Sequence, residues 1–224
     1  MSAGSRFDRT AERYAAMAAT RDWTGFVEWC DPGPDDRALD VAGGPGSLAA
    51  ALQPQVGSMT VLDTSARLLA FVPDGVGRSL GRAEQLPFDD ACFDLVTCVN
   101  SLHHIARPPR ALDEMARVLA PGGRIVLEDF IADDDPGRAR RWEEIERIRD
   151  PEHGRLITTG EPRVPLLGAG LELDAEEMWL RVYEVDPWLE LAGCTGSAAE
   201  HARELIGGPT FELRVWRARF RRPA

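Results

Sequence analysis

A short apolar run that ends in a glycine-rich turn is the feature that most constrains the fold of this chain. Ala38 to Ala42 reads as a buried strand, Gly43 to Gly46 follows at once, and residues 47–52 then have a helical pattern. A strand that turns sharply into a helix begins a β-α-β unit. Glycine suits this turn because a Cβ atom would hold the backbone away from a ligand. The sequence therefore predicts a parallel sheet that binds a ligand at this turn.

Apolar runs and helical patterns continue to alternate beyond the turn, which predicts an α/β fold. The pattern at 110–119 places its apolar residues on one helix face and puts Asp113 within reach of Arg117. Strand-like runs return at 171–185 and 211–220, and a helical pattern lies between them at 198–206. The strands predicted before this tail are 38–42, 58–63, 77–80, 94–99 and 124–130.

The 224 residues predict one domain with three parts. Residues 1–30 include an amphipathic pattern at 7–17 that belongs to no β-α-β unit, so we expect a helical lid that carries Tyr14. Residues 36–130 form the ligand-binding core, and residues 131–224 supply helices, a loop and the last strands on the substrate side.

The substrate-side part begins with a strongly charged pattern. Arg138, Arg141 and Arg149 interleave with glutamates, which predicts a solvated helix with salt bridges. Residues 150–170 contain Pro and Gly and show little periodicity, so we expect a loop that contributes to specificity.

Composition narrows the class of partner. The net charge is −11, so broad electrostatic binding to nucleic acid is not expected. All 26 basic residues are arginine. The four cysteines lack paired metal-ligand spacing, so no metal site is predicted. No apolar signal core or membrane-length segment is evident, so we expect a cytoplasmic monomer or homodimer that acts on a small molecule and does not bind a membrane.

Two cofactors compete for the glycine turn. Gly44 to Ala49 fits the G-x-G-x-x-G/A dinucleotide pattern, and Asp63 lies where a carboxylate would bind ribose hydroxyls, so an NAD-dependent oxidoreductase is one alternative. The second candidate is a cofactor that contains a methionine moiety, and it is favoured by Asp40. Its carboxylate would disfavour a pyrophosphate but would attract the amino group of a methionine moiety.

Four sequence blocks resemble the class I S-adenosylmethionine-dependent methyltransferases, in the branch of the ubiquinone and menaquinone C-methyltransferases (methyltransferase type 11). These blocks are Leu39 to Gly46, Val61 to Asp63, Ala83 to Asp94 and Asn100 to Gly123. The resemblance implies a Rossmann-like, seven-stranded, mostly parallel sheet of order 3-2-1-4-5-7-6, flanked by helices. It also implies S-adenosylmethionine as cofactor. The sequence departs from the family pattern at Ala42, which replaces a loop glycine, and at Arg82, which replaces an adenine-binding aspartate.

The resemblance assigns roles along these blocks. Asp40 and the glycine turn would hold the methionine part of the cofactor, Asp63 the ribose, and Ala83 with Glu84 the adenine. The backbone of Asn100 would lie near the methionine group. The full set of residues expected at the cofactor is Tyr14, Asp40, Ala42, Gly43, Gly44, Gly46, Asp63, Thr64, Ala83, Glu84, Asn100, Ser101 and Leu102.

The candidate catalytic residues are His103, His104 and Asp129. The two histidines follow the fourth strand at the ligand-binding edge of the sheet, and imidazole titrates near neutral pH. The resemblance adds Asp129, after the fifth strand, and it suggests that His153 and Arg155 bind the substrate.

These features predict methyl transfer to a small-molecule acceptor, with an oxygen or carbon acceptor preferred because histidines are available to take a proton. A protein that keeps the cofactor without transferring its methyl group, as a cyclase or a binding protein would, is the second alternative.

Overall fold

A computed structural model describes residues 6–151 and 153–224, and a single mixed sheet runs through its centre. The order of the strands is β3-β2-β1-β4-β5-β7-β6, which confirms the order that the family resemblance implied. The strands are β1 (Arg37–Val41), β2 (Ser58–Asp63), β3 (Gly77–Leu80), β4 (Phe93–Val99), β5 (Leu119–Phe130), β6 (Glu172–Glu184) and β7 (Thr210–Arg221).

Strands β1 to β5 are parallel, and the register brings the predicted site residues to one edge of the sheet. Asp40 on β1 lies between Val61 of β2 and Thr97 of β4. β7 runs antiparallel to β5, with Asp129 opposite Trp216, and β6 pairs antiparallel with β7 at the sheet edge. The first strand, at the centre of the parallel part, therefore ends where the order of connections reverses, which is the usual ligand site of such sheets.

Helices cover both faces of the sheet. They are α1 (Arg6–Arg9), α2 (Ala11–Ala18), α3 (Thr24–Cys30), α4 (Ser47–Leu52), α5 (Ala66–Leu69), α6 (Pro108–Val118), α7 (Pro136–Arg149), α8 (Gly160–Gly168), α9 (Val185–Leu191) and α10 (Gly196–Ile206). Two short 3₁₀ turns, Gln53–Gln55 and Leu102–His104, join them. Within the described residues, no helix combines the length and apolar character needed to cross a membrane.

The core divides into two layers because neighbouring residues of a strand point to opposite faces. On one face, Leu39 packs with apolar residues of α6 and α8 and with Trp216 of β7. On the other face, Ala38 packs with residues of α3, α4 and α5. A third cluster of α7, α9 and α10 surrounds Phe211 at the far end of β7. The buried layers hold the carboxyl ends of β1, β2, β4 and β5 as a rigid platform.

Several sequence expectations need correction. The lid pattern at 7–17 forms two short helices that are separated at Thr10. The segment 150–170 contains α8, whose Leu166 is buried against the core. Arg117 does not pair with Asp113. Its guanidinium instead donates to the carboxylate of Glu114 and to backbone carbonyls of residues 86–88, which together offer more hydrogen-bond acceptors.

Candidate active site

The glycine turn after β1 has a backbone that ordinary side chains rarely adopt. Ala42 and Gly44 both have φ of 56°, and Gly46 has φ of 77°. Gly43 has a different reason to be glycine, because a Cβ atom there would overlap the carboxylate of Asp40. Ala42 shows that one left-handed position tolerates a methyl group, at a cost of about 1–2 kcal/mol. The turn therefore holds its backbone close against the Asp40 side chain.

Asp40 is almost completely buried at the end of β1. Thr97 Oγ1 on β4 donates a hydrogen bond of 2.7 Å to Asp40 Oδ1. Burial raises the pKa of Asp40 to about 7, with a smaller contribution from the charge of Asp63, although the Thr97 bond opposes the rise. Because the ionised form of this carboxylate is unfavourable in the free protein, a cation bound beside it would stabilise that form.

Asp63, at the end of β2, joins two turns. Its Oδ2 accepts the Gly44 N–H at 2.9 Å, and its Oδ1 accepts the Ser65 N–H at 2.8 Å. Burial raises the pKa of Asp63, and these backbone bonds oppose the rise. The N-cap of α5 is Ser65, whose Oγ accepts the Leu68 N–H at 3.1 Å. Asp63 thus fixes the glycine turn beside β2 and does not cap the helix.

Two adjoining cavities open at this edge of the sheet. The smaller cavity has a volume of about 190 Å³ and the larger about 510 Å³. Their shared wall consists of Phe7, Tyr14, Ala42, Asn100 and His104. Lid and sheet therefore enclose the two spaces together.

The smaller cavity combines two buried acids with apolar side chains. Asp63 and Thr64 contribute to its wall from the end of β2, and Ala83 and Glu84 contribute from the loop after β3. Glu84 is buried and accepts a 3.0 Å hydrogen bond from Arg82, the residue that departs from the family pattern. The cavity thus offers carboxylate oxygens from two loops within a partly apolar surface.

The larger cavity extends from Asp40 and Gly43 toward the substrate-side helices. Its remaining lining is rich in aromatic rings and arginines. The aromatic and arginine residues of this lining that the sequence did not predict are Arg21, Trp23, Phe130, Arg149, Arg181, Tyr183 and Trp188, and the acids Asp22 and Glu146 also line the cavity.

Asn100, directly after β4, lies in the shared wall with φ of 50°. Its N–H donates to the Glu128 carbonyl at 2.7 Å, and its Oδ1 is buried with no hydrogen-bond partner among the described residues. Ser101 Oγ donates to the Ala42 carbonyl at 3.1 Å. These bonds tie the loop after β4 to the glycine turn, and they leave one buried acceptor that a ligand could satisfy.

The 3₁₀ turn after β4 sends successive side chains in different directions. Leu102 enters the core and does not line either cavity, which corrects the expectation of a cofactor contact. His103 lies in the wall of the larger cavity, with its Nδ1 at 2.5 Å from Asp129 Oδ1. The His103 N–H also donates to Asp129 Oδ2 at 3.2 Å. One carboxylate therefore orients both the ring and the backbone of His103.

The pKa of His103 reflects two opposing effects. Burial lowers the pKa, but the charge of Asp129 and its hydrogen bond outweigh burial, so the pKa of His103 is raised above its usual value. An imidazole held in this way by a carboxylate keeps its Nδ1 proton and presents Nε2 for proton transfer.

His104 and His153 complete a histidine cluster with His103. The His103 and His104 rings are 4.0 Å apart, and the His153 ring is 5.8 Å from that of His103. One ring nitrogen from each residue lies within 4.8 Å of the other two. His153 is buried, which lowers its pKa, and its Nε2 has no hydrogen-bond partner among the described residues. His153 lines neither cavity and contacts the rings of the two other histidines, so its expected contact with the substrate stays a prediction.

Comparison with known proteins supports one family. A profile described as a methyltransferase domain matches residues 39–127. The chain is 30% identical over 209 residues to the ubiquinone/menaquinone C-methyltransferase UbiE of Ectopseudomonas mendocina, which covers 82% of each protein. The chain belongs to the class I methyltransferases.

Two further relatives of this methyltransferase show the breadth of the family. It is 27% identical to the uncharacterised methyltransferase YcgJ of Bacillus subtilis, over 89% of this chain and 82% of YcgJ. The crystal structure of YcgJ superposes with a TM-score of 0.84 at 22% identity, over 93% of this chain and 99% of that one. The 27-O-demethylrifamycin SV methyltransferase of Amycolatopsis mediterranei is 33% identical, over 67% of this chain and 55% of the relative.

The methyltransferase fold brings most of the predicted residues to the two cavities, but not all. Gly46 lies at the start of α4, and Asp129 reaches the larger cavity only through His103. Arg155 is exposed and pairs with Glu161, away from both cavities. The residues that line one or both cavities are Tyr14, Asp40, Ala42, Gly43, Gly44, Asp63, Thr64, Ala83, Glu84, Asn100, Ser101, His103 and His104.

Proposed function

We propose that this methyltransferase transfers the methyl group of S-adenosylmethionine to an oxygen or carbon atom of a small-molecule acceptor. The observation that carries the proposal is the His103–Asp129 pair, because His103 lines the larger cavity together with the buried Asp40 and is held by Asp129. The names of the UbiE and demethylrifamycin relatives, a C-methyltransferase and an enzyme that acts on a 27-O-demethyl compound, support carbon and oxygen as acceptors.

The residues present fit this cofactor at several points. Asp63 has two carboxylate oxygens for the ribose hydroxyls, and Asp40 has a buried carboxylate for the ammonium group of the methionine part. The unpartnered Oδ1 of Asn100 is a buried acceptor available to a donor of the same part. The adenosine end would occupy the smaller cavity, and the methionine end would cross the shared wall toward Asp40.

The cofactor supplies an electrophilic methyl carbon on a sulfonium, and the protein has to align the acceptor with it. Alignment of two reactants is worth about 7–11 kcal/mol. The lid residues Phe7 and Tyr14 line both cavities where they meet, and with the ligands bound they would shield this point from water.

His103 takes the proton of the acceptor. Asp129 holds Nδ1–H of the ring, so Nε2 accepts the proton from an acceptor hydroxyl or an acidic carbon, and the imidazolium that forms is stabilised by the same carboxylate. A base in this position contributes about 10²–10⁴-fold to the rate.

Mass spectrometry of the denatured, purified protein tests the cofactor assignment first. We expect S-adenosylmethionine or S-adenosylhomocysteine, whereas recovery of NAD would refute it. A panel of phenols and quinols is then screened for methylated product and S-adenosylhomocysteine. Release of no product from any acceptor, with the cofactor firmly bound, would support the alternative of a protein that does not transfer the methyl group.

A pair of histidine variants tests the base. His103→Gln should lower turnover at least about 100-fold and change the affinity for S-adenosylhomocysteine by less than about threefold. His201→Gln is the matched control, because His201 is exposed on α10 and lies outside both cavities. A His103→Gln enzyme with wild-type turnover would show that His103 is not the base.

A further inference from the structure

Two arginines of the larger cavity have no role in the chemistry proposed above. Arg21 follows α2, and Arg181 lies on β6. Both line the larger cavity, and their side chains keep 24% and 27% of their surface exposed. Their guanidinium groups donate to the same oxygen, Oε1 of Glu128, at 2.6 and 3.0 Å. The two cations therefore lie side by side at the cavity wall.

The charges around Glu128 do not balance. Its other oxygen, Oε2, accepts from Arg217 at 2.7 and 3.0 Å, so three guanidinium groups share one fully buried carboxylate. Arg217 has a second carboxylate partner, Glu177, at 3.1 Å. Among the described residues, Arg21 and Arg181 form ion pairs with Glu128 alone. Three arginines thus meet two carboxylates in this group of ion pairs, and a further acid of the cavity lining, Asp22, is exposed to solvent, so the group itself carries one excess positive charge.

The third arginine of the cavity differs from this pair. Arg149 forms a 2.9 Å ion pair with the buried Glu146, and its guanidinium lies over the Trp188 ring. Its charge is balanced. The excess of positive charge is therefore confined to the part of the cavity that contains Arg21 and Arg181.

A continuous aromatic wall connects this positive region to the proposed base. The ring of Phe130 lies 5.8 Å from that of His103 and 6.0 Å from that of Tyr183. Arg181 donates to the Tyr183 hydroxyl at 3.5 Å. A flat molecule packed along Phe130 and Tyr183 has a proton acceptor at one end and guanidinium groups at the other.

We propose that the methyl acceptor is an aromatic or similarly planar small molecule with a carboxylate, which Arg21 and Arg181 bind. Guanidinium groups match a carboxylate with paired hydrogen bonds, and the carboxylate would neutralise the excess charge. This inference rests on the proposed function, because it takes the larger cavity as the acceptor site.

Binding of a matched pair of probes tests the inference. 4-Hydroxybenzoate and its neutral amide, 4-hydroxybenzamide, have nearly the same shape. Their affinities are measured by quenching of the fluorescence of Trp23 and Trp188, which line the cavity. We expect the acid to bind about tenfold more tightly than the amide, and 0.5 M salt to reduce that preference.

Arg181→Gln should abolish the preference for the acid and leave the affinity for the amide unchanged. Glu128 keeps Arg21 and Arg217 in this variant, so the fold should survive. Arg138→Gln, on the exposed face of α7, is the control and should retain the full preference. If Arg181→Gln fails to fold, Arg21→Gln is tested in its place and should also lose the preference for the acid that the wild type shows.

Equal or undetectable binding of the two probes by the wild type would overturn the inference, and so would an equal loss of both affinities in Arg181→Gln. These outcomes are separate from those for the proposed function. A clear preference for the acid without methylation of any acceptor would refute methyl transfer alone. Methylation of acceptors with no preference for acids would refute only the inference that the acceptor carries a carboxylate, and the proposed methyl transfer would stand.

Discussion

Replacement of Asp40 by asparagine removes a charge from the glycine turn and nearly preserves the shape of the side chain. Burial raises the pKa of Asp40 from an ordinary value of about 3.9 to about 7 in the free protein. Below about pH 4, both the folded and the unfolded chain carry the protonated acid. As the pH rises toward 7, the unfolded chain ionises this group while the folded protein keeps the proton, so the contribution of Asp40 to stability is lost.

The size of this effect follows from the pKa. A rise from about 3.9 to about 7 corresponds to about 4 kcal/mol of lost stability above pH 7. An asparagine side chain avoids this cost because it does not ionise, but part of the gain is offset because its amide group brings a new N–H donor beside the Thr97 hydroxyl. We therefore expect Asp40→Asn to raise the free energy of unfolding at pH 8 by about 2–3 kcal/mol.

Cofactor affinity should change in the opposite direction. The ammonium group of the cofactor stabilises the ionised carboxylate, so binding below pH 7 releases the proton of Asp40. Affinity should therefore fall roughly eightfold from pH 7.5 to pH 6.0, and Asp40→Asn should weaken binding about 10- to 100-fold while removing this dependence.

Calorimetry with S-adenosylhomocysteine at these two pH values, in two buffers of different ionisation enthalpy, measures both affinity and proton release. Urea unfolding at the higher pH used for the stability prediction measures the free energy of unfolding. Asp113→Asn, on the exposed face of α6, is the matched control and should change neither quantity. Wild-type affinity and pH dependence in Asp40→Asn would refute the role of Asp40 as the partner of the ammonium group.

Two further predictions concern the turn and the histidine cluster. Gly43→Ala should weaken S-adenosylhomocysteine binding at least about tenfold in calorimetry, because the new Cβ atom displaces the Asp40 carboxylate; Gly168→Ala, where a Cβ meets nothing within 4 Å, should bind normally. Dialysis against EDTA should leave turnover unchanged, because the proposed proton transfer uses His103, whose Nδ1 is already held by Asp129, and requires no metal ion. Loss of turnover that zinc restores would contradict this second prediction.

Strands β1, β2, β4 and β5 could be predicted because each contains a buried apolar run, whereas β3 is mostly exposed and only its place in the alternating pattern predicts it. Helix α8 could not, because Pro162 and Pro165 lie within it and obscure its period. It is stabilised by tertiary packing, since Leu166 is completely buried against the core formed with α6. A local pattern carries no information about such a contact.

The site likewise contains residues that a local sequence pattern predicts and residues that only tertiary contacts bring together. Asp40 and Asp63 could be predicted because their positions at strand ends fix where they lie. Arg21 and Arg181 could not, because they are 160 positions apart and meet only through Glu128. The charged pattern of α7 predicted a solvated helix with salt bridges. This prediction is wrong for Arg149, which lines the larger cavity beside Trp188 of α9.

The distribution of charge suits the proposed reaction. Acids lie at the glycine turn, where a cationic methyl donor would bind, and Arg21 and Arg181 line the larger cavity, where an anionic acceptor would bind. A deprotonated acceptor would form its bond to the methyl carbon as the carbon–sulfur bond breaks and sulfur leaves as a neutral thioether, so opposite charges would be neutralised toward the transition state. Exclusion of water strengthens that attraction, because Coulomb energy increases as the effective dielectric constant falls. Shielding of the point where the two cavities meet by Phe7 and Tyr14, which line both of them, would therefore favour the transition state over separated reactants.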